Sequence, residues 1–323
     1  MAEMTRQAHL LGDNSGMTEK TITINQRAVP VHNLEKLLFP QDGITEGDLI
    51  DYYRRIADTM LPHIQGRPLT MQRFPDGIDG EGFYQKEAPD YFPDWIERVS
   101  VMVEGEGTTQ PQIVCQNAAT LVYLADQACI TPHIWLSRKD KLHHPDKLIF
   151  DLDPPDGEFE PVRFAARALH ELLGEINLPC FVMTTGSRGL HIVVPLDRGA
   201  DFDAVRSFAR KVSKVLAWRE PERLTAEVRK DKRKGRVFLD YLRNSYAQTG
   251  VAPYAIRARP GAPVATPLEW AELGDSSLHS QSYVLSNIFR RLGQKDDPWQ
   301  SIMRHAQSLE KPRALLQSLQ ERS

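Results

Sequence analysis

The stretch Lys147-Leu-Ile-Phe-Asp-Leu-Asp-Pro-Pro155 restricts what this chain can fold into more than any other. Leu148, Phe150 and Leu152 alternate with Ile149, Asp151 and Asp153, and a period of two defines a strand with both carboxylates on one face. Pro154 and Pro155 stop it. Strand rise sets the two Asp Cα atoms roughly 7 Å apart. Two carboxylates that close raise each other's pKa unless a positive charge lies between them, and hard divalent cations such as Mg²⁺ or Mn²⁺ take oxygen ligands of this kind. A strand end whose two Asp side chains face water is the plainer alternative.

A chain of 323 residues suits one large domain of two modules. The apolar fraction of 41% is enough for a sizeable core, and no apolar run approaches a membrane span. Residues 1–18 are polar, do not resemble a signal peptide and are expected to be a disordered leader. Cys115, Cys129 and Cys180 lack Cys-x-x-Cys spacing, which argues against a disulfide framework or a zinc site and fits a reducing cytoplasm. The net charge of −3 does not itself favour a nucleic-acid partner. Its distribution is more telling, with 13 Lys or Arg against 5 Asp or Glu between Arg206 and Arg243, including Lys232-Arg233-Lys234. Such a run is either a solvated loop or a footprint for phosphate.

Local patterns give the order of elements. Thr21-Ile22-Thr23-Ile24 reads as a short strand. Thr45 and Asp48 approximate a capping box ahead of a helix carrying Leu49, Tyr52, Tyr53, Ile56, Met60 and Ile64 on one face. A strand is expected over Leu69–Phe74, then a Gly-rich loop and the exposed pair Phe83-Tyr84 before Lys86. From 147 the chain reads strand, helix (161–176), two strands (180–185 and 189–195), helix (203–218), strand (236–242) and a further strand at 252–258. The first six form β-α-β-β-α-β, the split-βαβ plan of ferredoxin-like and RNA-recognition-motif-like folds.

In that plan the strand holding Asp240 can share a sheet with Asp151 and Asp153, so three carboxylates converge. Such a cluster suits two divalent ions about 3.5–4 Å apart in phosphoryl transfer. The turn Thr184-Thr185-Gly186-Ser187-Arg188-Gly189 offers backbone N–H groups, hydroxyls and a guanidinium to an anion, although alone it is a hairpin turn. His191 alternates with Leu190 and Ile192, so it lies on a different face from them. Arg257 and Arg259 alternate with Ile256 and Ala258 and add phosphate donors, or form a solvated strand face.

Asp151-Leu-Asp-Pro-Pro155, Thr185-Gly-Ser-Arg-Gly-Leu-His-Ile192, Val237-Phe-Leu-Asp-Tyr-Leu-Arg-Asn244 and the stretch from Tyr254 to Pro267 resemble the motifs of the polymerase domain of bacterial DNA ligase D, in the archaeo-eukaryotic primase superfamily. The resemblance spans roughly residues 21 to 295. It implies an α+β primase-like fold: an N-terminal α/β module of about 19–145 packed with an RRM-like (split βαβ) catalytic module of about 146–295, followed by a helical tail at 296–323. It implies that Asp151, Asp153 and Asp240 bind two Mn²⁺ or Mg²⁺ ions and that Thr185, His191, Arg243 and Arg257 hold the incoming nucleotide, with Ser187 and Arg188 beside them. His133 matches a family histidine near the acidic site. Phe83 and Tyr84 match an aromatic pair that stacks on the template. Lys36, Lys86, Lys232, Arg233 and Lys234 are the other candidate DNA contacts.

Two departures stand out. The ligase signature Lys-x-Asp-Gly is absent, so the chain resembles a stand-alone polymerase. Ten residues beyond Lys36, where the family carries a second lysine for a 5′-phosphate, this sequence has Glu46. The expected function is a template-directed nucleotidyltransferase (EC 2.7.7 type) that fills gaps in end joining or repair and favours ribonucleotides. Its expected partners are gapped or broken DNA, NTP or dNTP, Ku and a separate DNA ligase, in the cytoplasm at the nucleoid. A de novo primase and a catalytically lapsed binding module are the alternatives.

Overall fold

The computed structural model describes residues 20–103 and 105–321, so the expected leader lies outside the described residues. A ribbon of β1 (Lys20–Ile24) and β2 (Arg27–Val31) precedes a second ribbon, β3 (Leu37–Phe39) and β4 (Ile44–Thr45). Thr45 and Asp48 then close a true capping box on α1 (Glu46–Ile64), whose six expected apolar positions are all buried. β5 (Pro68–Arg73), β6 (Phe83–Gln85), β7 (Arg98–Met102), β8 (Thr109–Val114), α2 (Ala118–Asp126) and β9 (Cys129–Trp135) complete the first half. The second half holds β10 (Lys147–Asp153), α3 (Glu160–Glu175), β11 (Phe181–Thr184), β12 (Leu190–Pro195), α4 (Phe202–Arg219), β13 (Leu224–Thr225) and β14 (Val237–Asp240). β15 (Thr249–Val251), β16 (Pro267–Leu268), α5 (Ile288–Leu292) and α6 (Glu310–Glu321) follow.

Two sheets organise the molecule. One runs β15-β9-β5-β8-β7, with β6 paired to β5, and the other runs β13-β14-β10-β12-β11-β16. Within the second, β14-β10-β12-β11 is the strand order a split βαβ unit requires. Alternation along β10 separates two cores. Leu148, Phe150 and Leu152 pack with residues of α3 and α4, while Ile149 joins Met183 and Val193 against the first half of the chain. Asp151 and Asp153 continue that second face toward the strand end, where it opens.

Buried polar groups join the halves. Arg67 is fully buried and pairs with Asp146 through two bonds of 2.6 and 2.7 Å, and Arg138 Nε donates to the same carboxylate at 2.8 Å. The segment beyond 295 also enters the core: Asp297 accepts from Tyr254 Oη at 2.7 Å and lies 2.6 Å from His63 Nε2, and Trp299 and Ile302 are buried.

The strand expected at 252–258 does not form. Tyr254 takes a positive φ of 65°, which reverses the extended run and leaves one isolated bridge, Ile256 to Val264. The strand lies earlier, at β15, and it pairs with β9 in the first sheet. Arg259, expected beside Arg257 on that strand, is exposed.

Candidate active site

β10 lies between β12 and β14, and its register places Asp151 opposite His191 on one side and Asp240 on the other. Directly opposed residues lie about 4.5–5.5 Å apart on one face, so this register gathers the three side chains. Asp151 is buried, and Arg243 Nε donates to its Oδ2 at 2.6 Å while His191 Nε2 stands 3.5 Å from its Oδ1. Burial alone would raise the Asp151 carboxyl, but His191 and Arg243 outweigh it and hold the group well below the usual carboxylate range. Asp153 is about half exposed and makes a loose 3.4 Å contact with Arg188. Partial desolvation and the Asp151 charge push its carboxyl up. Asp240 is raised by burial and by Asp151, against the Leu242 N–H that donates to it at 2.7 Å.

The turn from Thr185 to Gly189 fits close against this cluster. A Cβ on Gly189 would lie 1.8 Å from Leu152 O and 2.9 Å from Asp153 Oδ1, so only glycine lets the turn approach the acidic strand end. Thr185 Oγ1 donates to Gly189 O at 3.1 Å and accepts from the Ser187 and Gly189 N–H groups, which shapes the turn from within. Arg257 Nη1 donates to Thr185 O at 2.9 Å and fixes the guanidinium beside it.

A cleft of about 190 Å³ joins these groups, lined by Tyr84, His133, Asp151, Asp153, Thr185, Ser187, His191, Arg243, Thr249, Val251 and Arg257. Nine of the eleven were candidates from sequence. Thr249 and Val251 were not, because their part in the site depends on β15 joining the first sheet. Asp240 adjoins the cleft through its pairing with Asp151. Tyr84 meets the His133 ring edge-on at 5.5 Å. His133 is buried with Nε2 unpartnered, and burial, followed by Arg257 and Arg243, pushes its pKa well down, so it is neutral at physiological pH.

The remaining candidates lie elsewhere. Phe83 and Tyr84 alternate on β6, so only Tyr84 enters the cleft, while Phe83 lies 5.7 Å from the Arg73 guanidinium. Lys86 is exposed just beyond β6. In the basic run, Lys232 and Lys234 are exposed, whereas Arg233 turns inward, donating to Glu227 O and Val228 O and lying 4.0 Å over the Phe238 ring. Lys36 lines a separate cavity of about 300 Å³ with His32, Glu46, Arg73 and Asp126. Glu46 is 3% exposed there, and burial, then the Asp126 charge, raise its carboxyl to about 8.

Among the described residues, no three His, Cys, Asp or Glu side chains form a ready-made metal cage. Asp151 is instead engaged by Arg243. The donor set still fits hard divalent ions: three carboxylates on adjoining strands, two of them raised by burial and by the Asp151 charge, beside an unpartnered buried imidazole nitrogen.

A split βαβ sheet with acidic side chains at its open face, packed on a second sheet, defines an archaeo-eukaryotic primase-like domain. A family model described as the LigD primase-polymerase domain matches residues 45–299. This chain belongs to that family. It is 36% identical over 277 residues to the multifunctional non-homologous end joining DNA repair protein LigD of Mycobacterium tuberculosis, covering 82% of this chain and 36% of that protein. The LigD of Pseudomonas aeruginosa is 34% identical over 275 residues, covering 84% and 32%, and the bifunctional LigD of Bacillus subtilis is 29% identical over 302 residues, covering 91% and 48%. The chain thus spans from about a third to about half of these relatives' length. Among solved structures, the polymerase domain of M. tuberculosis ligase D in complex with DNA superposes with a TM-score of 0.80 at 32% identity, covering 85% of this chain and 98% of that one.

Proposed function

We propose that this domain is a template-directed nucleotidyltransferase that extends a primer across a gap or break in DNA, with ribonucleotides as preferred substrates and two Mn²⁺ or Mg²⁺ ions as cofactors. One observation carries the reading: Asp151, Asp153 and His191 share a single cleft with the Thr185–Gly189 turn, Arg243 and Arg257, and Asp240 pairs with Asp151 at its edge. Carboxylates, cations and an anion-sized turn serve a phosphoryl transfer better than any chemistry needing a nucleophilic side chain. The primer 3′-oxygen bonds to the α-phosphorus of the nucleotide, the bond to the β-phosphate oxygen breaks, pyrophosphate leaves and the 3′-OH proton passes to solvent. Bound to the three aspartates, the divalent ions would lower the pKa of the attacking hydroxyl and neutralise the phosphate oxygens. Arg243 and Arg257 provide guanidinium donors for the triphosphate. Neutral His133 presents a hydrogen-bonding nitrogen without adding charge, and Tyr84 closes the cleft from the other sheet.

Gapped or broken DNA is the proposed macromolecular substrate, with Ku and a separate ligase as proposed companions in end joining. Incubation with a 5′-phosphorylated gapped duplex, labelled rNTP or dNTP and Mn²⁺ or Mg²⁺ tests the reading. Metal-dependent, template-matched extension supports it, and binding without extension under every condition refutes it. Synthesis on a template without a primer would instead make the domain a de novo primase.

A further inference from the structure

Tyr91 lies outside the catalytic cleft, is 63% exposed and is nevertheless fixed in place. Its hydroxyl bonds to Arg73 Nη1 at 3.1 Å and to Gln127 Oε1 at 3.2 Å, and its ring stands edge-on against the buried Phe92 at 5.1 Å. Both bonds lie at the surface and tie the hydroxyl down while the ring stays exposed. Arg73 is the link to a second exposed ring, since its guanidinium lies 5.7 Å from Phe83, which is 43% exposed. That guanidinium donates to neutral groups, the Gln127 carbonyl, Gln85 and Tyr91, so among the described residues its charge is not offset by a bonded carboxylate. On its far side Arg73 also lines the cavity of Lys36 and Glu46.

We infer that Phe83, Arg73 and Tyr91 form a stacking track for single-stranded nucleic acid, with Tyr91 as a base platform that extends the path beyond Phe83. The inference rests on the proposed function and adds to it a face opposite the one Tyr84 presents to the cleft. Rings take bases of any identity, and a guanidinium between two rings suits the phosphate joining two stacked nucleotides. An ordinary surface tyrosine would need its hydroxyl in water and would tolerate a flexible ring. This one is immobilised by three neighbours, as a platform must be.

The test is fluorescence anisotropy on duplexes with single-stranded gaps of one, three and six nucleotides, using wild type, Tyr91→Phe and Tyr91→Ala. Tyr91→Ala is expected to weaken binding to the six-nucleotide gap by about tenfold. It should leave the one-nucleotide gap within twofold, and Tyr91→Phe should retain most of the affinity. Equal weakening on all three gaps, or none on any, overturns the track. Nitration of Tyr91 by tetranitromethane in the unmutated protein gives a second measurement, independent of how the variants fold. Protection by the six-nucleotide gap and not by the one-nucleotide gap is expected, and unchanged labelling overturns the proposal. Loss of extension on a one-nucleotide gap by wild type would implicate the polymerase reading instead, so the two failures are distinguishable.

Discussion

Asp151 and Asp240 face each other across β10 and β14, and Arg243, three residues past Asp240, turns back to donate to Asp151 at 2.6 Å. The acidic centre is therefore held together by a guanidinium that the same loop supplies. Each of Asp151→Asn, Asp153→Asn and Asp240→Asn is expected to reduce nucleotide addition by at least about 100-fold while leaving the circular dichroism spectrum unchanged. Single-turnover extension with a metal titration checks it. Near-normal turnover with a normal metal optimum in any of the three would remove that residue from the site.

Glu46 behaves differently from what its position in the sequence suggests. A glutamate near Lys36 reads as a charge that repels phosphate, but burial raises its carboxyl to about 8, so at neutral pH it is mostly uncharged. Preference for a 5′-phosphorylated over a 5′-hydroxyl gap is expected to fall as pH rises from 7 to 9, and Glu46→Gln should abolish that fall. A preference insensitive to pH in the unmutated protein would show that the cavity does not meet the DNA end.

The same shift has a stability consequence. The unfolded carboxyl titrates near its ordinary 4.5 and the folded one near 8, so the fold favours the protonated form. Stability linked to Glu46 is complete below about pH 4.5 and is lost as pH rises through about 8. Thermal melts at pH 5, 7 and 9 should show Glu46→Gln gaining on wild type as pH increases.

Arg67→Ala is expected to destabilise the protein by about 3–5 kcal/mol, because it leaves Asp146 buried with only the partly exposed Arg138 as a bonded cation. Asp146 is held down to about 2 despite burial, by Arg67 and then Lys147 and Arg138. Its contribution is present above the usual carboxylate range and is lost as pH falls through about 2. Urea unfolding at pH 7 measures the first effect, and acid titration of the Arg67→Ala protein should show a flatter acid limb.

Gly189→Ala tests the close approach of the turn to Leu152. A methyl group placed 1.8 Å from a backbone oxygen forces the turn or β10 to move, at a cost of about 1–3 kcal/mol or more. A fall in Tm is expected together with weaker nucleotide binding, measured by calorimetry. Unchanged nucleotide affinity would mean that the turn is purely structural.

The sequence by itself determined the elements whose cause is local. Alternation along Lys147–Asp153 specified a strand and its acidic face, Thr45 and Asp48 specified a helix start, and the order of patterns specified a split βαβ sheet. These depend on backbone geometry and side-chain period within a few residues. Tertiary structure alone decided the rest. Tyr254 in the left-handed region breaks the strand expected at 252–258, and Thr249 and Val251 reach the cleft from β15, which pairs with β9 in the first sheet. The two aromatics of β6 part to opposite faces, and Arg233, one cation of an apparently uniform basic run, spends its donors on backbone carbonyls. Glu46 is held protonated at neutral pH by burial first and then by the Asp126 charge beside it. For Glu46, and for Thr249 and Val251, the deciding quantity is burial or pairing with residues distant in the chain, and that is set by packing, not by local pattern.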